Sequence, residues 1–213
     1  KNAVKKNQMI AMHNGIDCDV FNFDLIEREF LREKYELKDK KLFIHIGRFS
    51  EAKDHINLLK AFKDFSKEFS NSHLVLVGDG ELRTEIEKFI SKNNLTERVS
   101  LFGIQKNISG LLSMSDIFVL SSSWEGLPLV VGEAMACKRV VVATDCGGVS
   151  EVLADCGFLV ESKNSIELFE AMKKAYFLNE KSAINIGNKA RKRILEKYSL
   201  DNVVSLWEDI YKN

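Results

Sequence analysis

The chain has 213 residues, of which 45% are hydrophobic and 29% charged, enough apolar side chains for a packed core and too many for a disordered polymer. Lys plus Arg number 31 and Asp plus Glu number 31, so no net positive field holds the chain on a phosphate polymer, and nucleic acid is not an expected partner. At about 150 residues per domain the length suits one domain with a helical tail and excludes two full ones.

The first residues, Lys1-Asn2-Ala3-Val4-Lys5-Lys6, are basic but lack an initiator Met and the apolar core of a signal peptide. They read as an internal start, and a fragment of a longer protein is expected. The longest stretch without Asp, Glu, Lys or Arg is the ten residues 7–16, short of the roughly 18 to 20 needed to cross a bilayer. No transmembrane segment is therefore expected. One domain over 1–213 is predicted, with a leading linker or strand at 1–16, a core at 17–195 and a last helix at 196–213.

Short apolar runs then alternate with segments of helical period. Leu42 to Ile46, Leu74 to Val77, Val99 to Phe102, Ile117 to Leu120, Val140 to Ala143 and Phe158 to Val160 predict six strands, several rich in β-branched residues. Between them, Leu58, Phe62, Phe65 and Phe69, and then Leu82, Ile86, Phe89 and Ile90, recur at helical spacing. Beyond Val160 the strands cease, and helices are predicted near 166–178, 183–195 and 200–211. The expected fold class is α/β, a Rossmann-like doubly wound parallel sheet of about six strands with additional C-terminal helices.

Ligands of such sheets bind beyond the carboxyl ends of the strands. After the first strand, Gly47-Arg48-Phe49-Ser50-Glu51-Ala52-Lys53-Asp54 puts two cations on one loop. Arg48 could clamp phosphate oxygens bidentately and Lys53 supply a point charge; the alternative is two solvated surface cations. After the second strand, Gly78-Asp79-Gly80 starts a dinucleotide fingerprint that fails at Arg83, so a tight turn in which Asp79 helps start a helix is the plainer reading.

The loop Ser121-Ser122-Ser123-Trp124-Glu125-Gly126-Leu127-Pro128 leads into Leu129-Val130-Val131-Gly132-Glu133. Pro128, the chain's sole proline, is expected in the first helical turn, where the free N–H groups and positive end of the helix make an anion site. Gly126 permits close backbone approach. Glu125 in the loop and Glu133 about one turn into the helix both border that site and suit hydroxyl pairs rather than phosphate. Complementing the helix dipole would account for Glu133, but it gives Trp124-Glu125-Gly126 no purpose. Thr144-Asp145-Cys146-Gly147-Gly148, leading into a helix start at Val149-Ser150-Glu151, closes the far wall or is a simple strand-to-helix turn. Cys18, Cys137, Cys146 and Cys156 form no CxxC pair, and His13, His45, His55 and His73 are scattered, so neither a metal site nor a disulfide framework is signalled and reduced, cytoplasmic thiols are expected.

Together with His13-Asn14-Gly15-Ile16-Asp17, Asp116-Ile117-Phe118-Val119-Leu120 and Glu151, these motifs resemble the C-terminal, donor-binding half of the group 1 (family 4) retaining glycosyltransferases, one half of a GT-B fold. The resemblance implies transfer of a sugar from a nucleotide diphosphate sugar, UDP or GDP, to an acceptor hydroxyl with retention, in polysaccharide, lipopolysaccharide, capsule or glycolipid synthesis. It implies that Arg48, Lys53 and Glu125 carry the catalysis. It also implies a donor site of Gly47, Arg48, Lys53, Ile104, Glu125, Gly126, Leu127, Pro128, Leu129 and Glu133. No metal cofactor is implied. The implied partners are a glycan or lipid-linked glycan acceptor and an N-terminal domain of the same protein, without which this chain would be inactive. A non-catalytic nucleotide-sugar-binding module of the same fold is the alternative.

Three further expectations follow. The family usually has Gly and then Pro where this chain has Cys137-Lys138-Arg139, which puts the helix end in question. Trp207 or Tyr211, on the apolar stripe of the last helix, is expected either to be partly exposed or, if this is an ordinary core-facing helix, to be buried. Lys189, Arg191, Lys192 and Arg193 form a basic cluster that is either a patch for anionic lipid, giving peripheral association with the inner membrane face, or a solvated helix face.

Overall fold

The computed structural model describes residues 13–212. In chain order it runs α1 (Leu25–Lys34), β1 (Lys41–Ile46), α2 (His55–Glu68), β2 (Ser72–Val77), α3 (Arg83–Lys92), β3 (Val99–Gly103), α4 (Ile108–Met114), β4 (Ile117–Leu120), α5 (Leu129–Ala136), β5 (Val140–Asp145), α6 (Val149–Leu153), β6 (Phe158–Glu161), α7 (Ser165–Tyr176), α8 (Glu180–Lys197) and α9 (Leu200–Lys212). All six predicted strands form, extended by at most two residues at either end. The helices α1 and α4 are additions to the predicted set, while α6 starts directly after Gly147-Gly148, where a helix start was expected.

The strands make one parallel sheet in the order β3-β2-β1-β4-β5-β6, the doubly wound Rossmann-like arrangement. Successive strand residues face opposite sides. Leu42, Ile44, Val75, Val77, Phe118 and Leu120 pack on one side with residues of α1, α4, α5 and α8. Phe43, Leu74, Leu76, Ile117 and Val119 pack on the other with α2, α3 and α7. Both faces are thus covered, which is why the strands read as unbroken apolar runs instead of alternating ones.

A buried ion cluster fixes α1 to the sheet. Asp116 accepts from Arg28 at 2.5 Å, from Arg32 at 2.7 Å and from the N–H of Leu42 at 2.8 Å. Burial alone would raise the carboxyl pKa of Asp116, but the two guanidinium groups hold it below the usual carboxylate value. This cluster explains α1, whose apolar pattern is too weak to announce a helix.

Lys138, just past α5, has φ +58°. Its N–H donates to Met135 O at 3.0 Å, and that of Arg139 to Ala134 O at 2.9 Å, a Schellman closure that glycine normally occupies. The helix end survives the missing glycine by holding a lysine in a left-handed conformation.

The basic cluster on α8 is not a cationic patch, which corrects its reading as a lipid contact. Arg191 donates to the carbonyls of Phe21, Ala136 and Cys18, and Arg193 to those of Val152 and Glu151. Lys189 pairs with Asp155 at 2.6 Å and Lys192 with Glu196 at 3.7 Å. The two arginines bind the sheet-side helices and the leading segment to α8.

Of the leading segment, residues 1–12 lie outside the described residues. Ile16 bridges to Ser199, and its N–H donates to Tyr198 O at 2.7 Å. Ile16 and Tyr198 both join the core, so the core expected over 17–195 reaches one residue earlier and three later. On α9, Trp207 is 42% and Tyr211 82% exposed, as expected for a stripe this domain leaves uncovered. Among the described residues no helix is long and apolar enough to cross a membrane.

Candidate functional site

The strand order reverses between β1 and β4, so the loops that follow them flank the crevice at the topological switch point. Three loops on the β1 side are joined by backbone bonds. Gly47 N–H donates to Val77 O and Phe49 N–H to Asp79 O, each at 2.9 Å, and Gly78 N–H donates to Gly103 O at 2.9 Å. Gly78 has φ +135°, and a Cβ there would stand 2.0 Å from Gly47 O. Gly78-Asp79-Gly80 is therefore a packing turn. Asp79 pairs with Arg83 at 2.9 Å and does not cap α3, whose N-cap is Leu82.

Lys53 and Glu125 meet. Lys53 Nζ lies 2.5 Å from Glu125 Oε1, and the two side chains are 20% and 11% exposed. Ser122 Oγ donates to the same oxygen at 2.6 Å. The stem of Lys53 crosses Gly47, where a Cβ would stand 3.3 Å from Lys53 Cε, so the small residue at 47 sets the course of the lysine.

Arg48 does not join them. It is largely exposed and pairs with Glu81 at 3.1 Å. Arg48 lines an open depression of about 590 Å³ with Gly78, Asp79, Gly80 and Ile104. The residues expected around the phosphates thus occupy two adjoining places, Lys53 with Glu125 in the crevice and Arg48 with Ile104 in the depression.

Pro128 is the N-cap of α5 rather than part of its first turn, with φ −79° and ψ 89°. Its ring has no capping oxygen. The N–H groups of Gly126, Leu127, Leu129 and Val130 consequently have no acceptor among the described residues, leaving a run of donors at the positive end of a helix. Glu133 is half-buried, and its carboxylate has neither ion pair nor hydrogen bond among the described residues. Burial raises its pKa.

Two residues the motifs passed over lie under the Gly47–Lys53 loop. His45 Nδ1 bonds to Val119 O at 2.9 Å; the carbonyl can only accept, so Nδ1 carries the proton and Nε2 is a lone pair. Its ring sits 4.5 Å from that of His55. Burial, then the nearby Lys53 charge, lowers the His55 pKa to about 4. His45 is lowered well below 6.5 by burial and then by His55. Both rings are therefore neutral under an already cationic lysine. Their bracketing of the loop, two residues before Gly47 and two after Lys53, is the sequence signal that marks them.

The arrangement offers a cation, a run of backbone donors, one carboxylate held by Lys53 and a second carboxylate awaiting donors. Among the described residues no three metal-ligating side chains cluster, and the four cysteines are free.

The family described as glycosyl transferases group 1 matches residues 27–193. The N-acetyl-alpha-D-glucosaminyl L-malate synthase of Bacillus anthracis is 32% identical over 220 residues, covering 98% of this chain and 55% of its own length. The Anabaena Alr3699/HepE crystal structure, in complex with UDP and glucose, superposes with a TM-score of 0.90 at 22% identity, over 98% of this chain and 58% of that one. The crystal structure of the C-terminal domain of the group 1 protein LpcC from Francisella tularensis superposes with a TM-score of 0.77 at 24% identity, over 87% of this chain and all of that one. The chain spans little more than half the length of the Bacillus relative and of the Anabaena chain.

Proposed function

The chain belongs to the group 1 glycosyl transferases, and from that premise we propose that it is the donor-binding half of a retaining transferase that takes its sugar from a UDP-sugar. The observation that carries this reading is the Lys53–Glu125 pair at the switch point, beside the unpaired N–H groups before α5 and the unpaired carboxylate of Glu133. The UDP of the Anabaena complex supports uridine. Correspondence with a C-terminal domain supports the assignment to one half.

In this reading the diphosphate lies between Lys53 and the donor run at Gly126 to Val130, with Arg48 closing from its exposed loop once Glu81 is exchanged for phosphate. Glu133 accepts from the ribose diol, and Ile104 lies by the base. As the glycosidic bond breaks, negative charge grows on the diphosphate, and preorganised donors stabilise it without a metal ion. Glu125 faces the transferred sugar, accepting from its hydroxyls and favouring positive charge at the anomeric carbon. The acceptor is a glycan or lipid-linked glycan brought by the rest of the native protein, at the cytoplasmic side.

The test is ligand-observed NMR of the chain against UDP, GDP and ADP, with the Arg48→Ala, Lys53→Ala double variant as control. Selective binding of UDP that the variant loses is the expected result. Equal binding of all three, or unchanged binding by the variant, would sink the reading and favour a plain binding module.

A further inference from the structure

A second cavity lies at the edge of the sheet away from the crevice. There Lys41 opens β1, Ile117 opens β4 and Val140 opens β5, three strands that run side by side. With residues of α1 and α8 they line a space of about 620 Å³, within the range that holds a small molecule. Four cations border it, Arg28, Lys41, Lys138 and Arg139, against two carboxylates, Asp116 and Glu180.

The Asp116 carboxylate is already engaged, by Arg28 at 2.5 Å and Arg32 at 2.7 Å. Arg139 is left without an ion pair among the described residues. Its Nε donates to Cys137 O at 2.9 Å and its Nη1 to Ser115 O at 2.7 Å, while Nη2 has no acceptor among the described residues. The Phe23 ring covers one face of the guanidinium, its centroid 4.5 Å from Cζ. Burial, and then the like charge of Arg28, lowers the Arg139 pKa to about 10 against the opposing pull of Asp116. Buried charges are ordinarily paired, and this one lines a cavity instead.

Lys41 and Lys138 add to the imbalance, since neither ammonium has an ion pair or hydrogen bond among the described residues. Lys138 is moreover held at φ +58°, at a steric cost that glycine would avoid. Tying down strand-edge carbonyls accounts for two donor groups of Arg139. It accounts neither for the third nor for a lysine kept in a strained turn, and a backbone outlier beside an unpaired charge points to a ligand.

The walls select its chemistry. Like charges gathered in a concavity repel one another, and low-dielectric walls focus their field on an anion. With Arg32 counted through its bond to Asp116, five cations face two carboxylates, so a doubly charged oxyanion complements the cavity better than a single carboxylate does. A guanidinium fork beside ammonium groups suits phosphate. Leu25 and Ile184, also lining the cavity and 57% and 53% exposed, suit an organic substituent that would cover them.

We propose that this cavity binds a phosphate monoester, its phosphoryl group held by Arg139, Lys138 and Lys41 and its organic part by Leu25 and Ile184. The site is separate from Lys53 and Glu125 and stands without the donor reading.

The test titrates butyl phosphate calorimetrically into the full native protein in the presence of excess UDP, so that the crevice is occupied. Saturable binding is expected. The Lys41→Gln, Lys138→Gly double variant should weaken it by about 10- to 100-fold with UDP binding unchanged. Neither lysine side chain holds the fold together, so this variant decides the site even if Arg139→Gln, which gives up two carbonyl bonds and should also lose the ester, fails to fold. Binding to phosphatidylcholine vesicles that contain phosphatidic acid, lost in the double variant, would identify a lipid as the source; butyl phosphate binding without vesicle binding would identify a soluble ester. Absence of butyl phosphate binding, or equal binding by wild type and the double variant, overturns the proposal. Binding that appears only when UDP is left out also overturns it, because the phosphate would then occupy the crevice.

Discussion

Lys53 Nζ and Glu125 Oε1 stand 2.5 Å apart across the switch point, one from the loop after β1 and the other from the loop after β4. The pair joins the two walls of the crevice, and in the proposed reading it holds together two groups with different tasks, a cation for phosphate and a carboxylate for sugar.

Because the tasks differ, the two side chains should separate kinetically. Lys53→Ala is expected to weaken UDP by about 10- to 100-fold, the range for hydrogen bonds to charged groups. Glu125→Gln frees the ammonium and should leave UDP binding close to wild type while transfer falls by about 100-fold or more. Calorimetric UDP titrations beside transfer rates check this; parallel loss of binding and rate in both variants would contradict the division.

In the proposed reading Glu133 trades stability for binding. Its folded-state pKa is raised by burial, so the folded protein holds this proton to higher pH than the unfolded chain does, and stability is lost as pH rises through the interval between the two values. Glu133→Gln removes the buried charge and should raise the melting temperature at neutral pH. The same change should weaken UDP by about tenfold, because the amide is a poorer acceptor for the ribose diol. A variant that melts lower than wild type would show that the carboxylate has a partner.

The His55 imidazole makes the fold sensitive to acid. Its folded pKa is about 4 against an ordinary 6.5, so the unfolded chain takes up the proton first. The contribution is fully present above pH 6.5 and is lost as pH falls toward 4, amounting to about 2 kcal/mol by pH 5. Urea unfolding at about pH 7 and about pH 5 should show the midpoint falling in wild type and a flatter dependence in His55→Leu. Equal slopes in the two proteins would count against a neutral His55 in the folded state.

Lys138→Gly should stabilise the protein by about 1 kcal/mol, since a lysine at φ +58° carries a steric cost that glycine avoids. Gly187→Ala should do the opposite, its Cβ falling 2.3 Å from Lys138 O and forcing α5 and α8 apart. Thermal unfolding of the two variants provides the comparison.

Six strands were legible in the chain because the central ones are buried on both faces and must be largely apolar, and glycine or serine stops the runs of β1, β2 and β4 where they meet the crevice. The loops that bear Lys53 and Glu125, and the helix start that bears Glu133, were legible for the same reason, since a parallel sheet puts every strand's carboxyl end on one edge. The helices α1 and α4 were not. Tertiary contacts hold them, as the Asp116 cluster holds α1, and such contacts leave no period in the sequence.

Pairing was likewise beyond spacing. The two cations of one loop were equivalent on the page, yet Lys53 reaches Glu125 and Arg48 turns to Glu81. The four cations of α8 read as a lipid patch or a solvated face, and neither reading anticipated that Arg191 and Arg193 bind carbonyls from distant parts of the chain. The sequence alone determined which residues lie on the crevice edge, because burial and backbone geometry act locally along each strand and loop. Only the tertiary structure decided which charge meets which, because an ion pair needs two groups within about 4 Å, and that separation is set by how the strands are ordered.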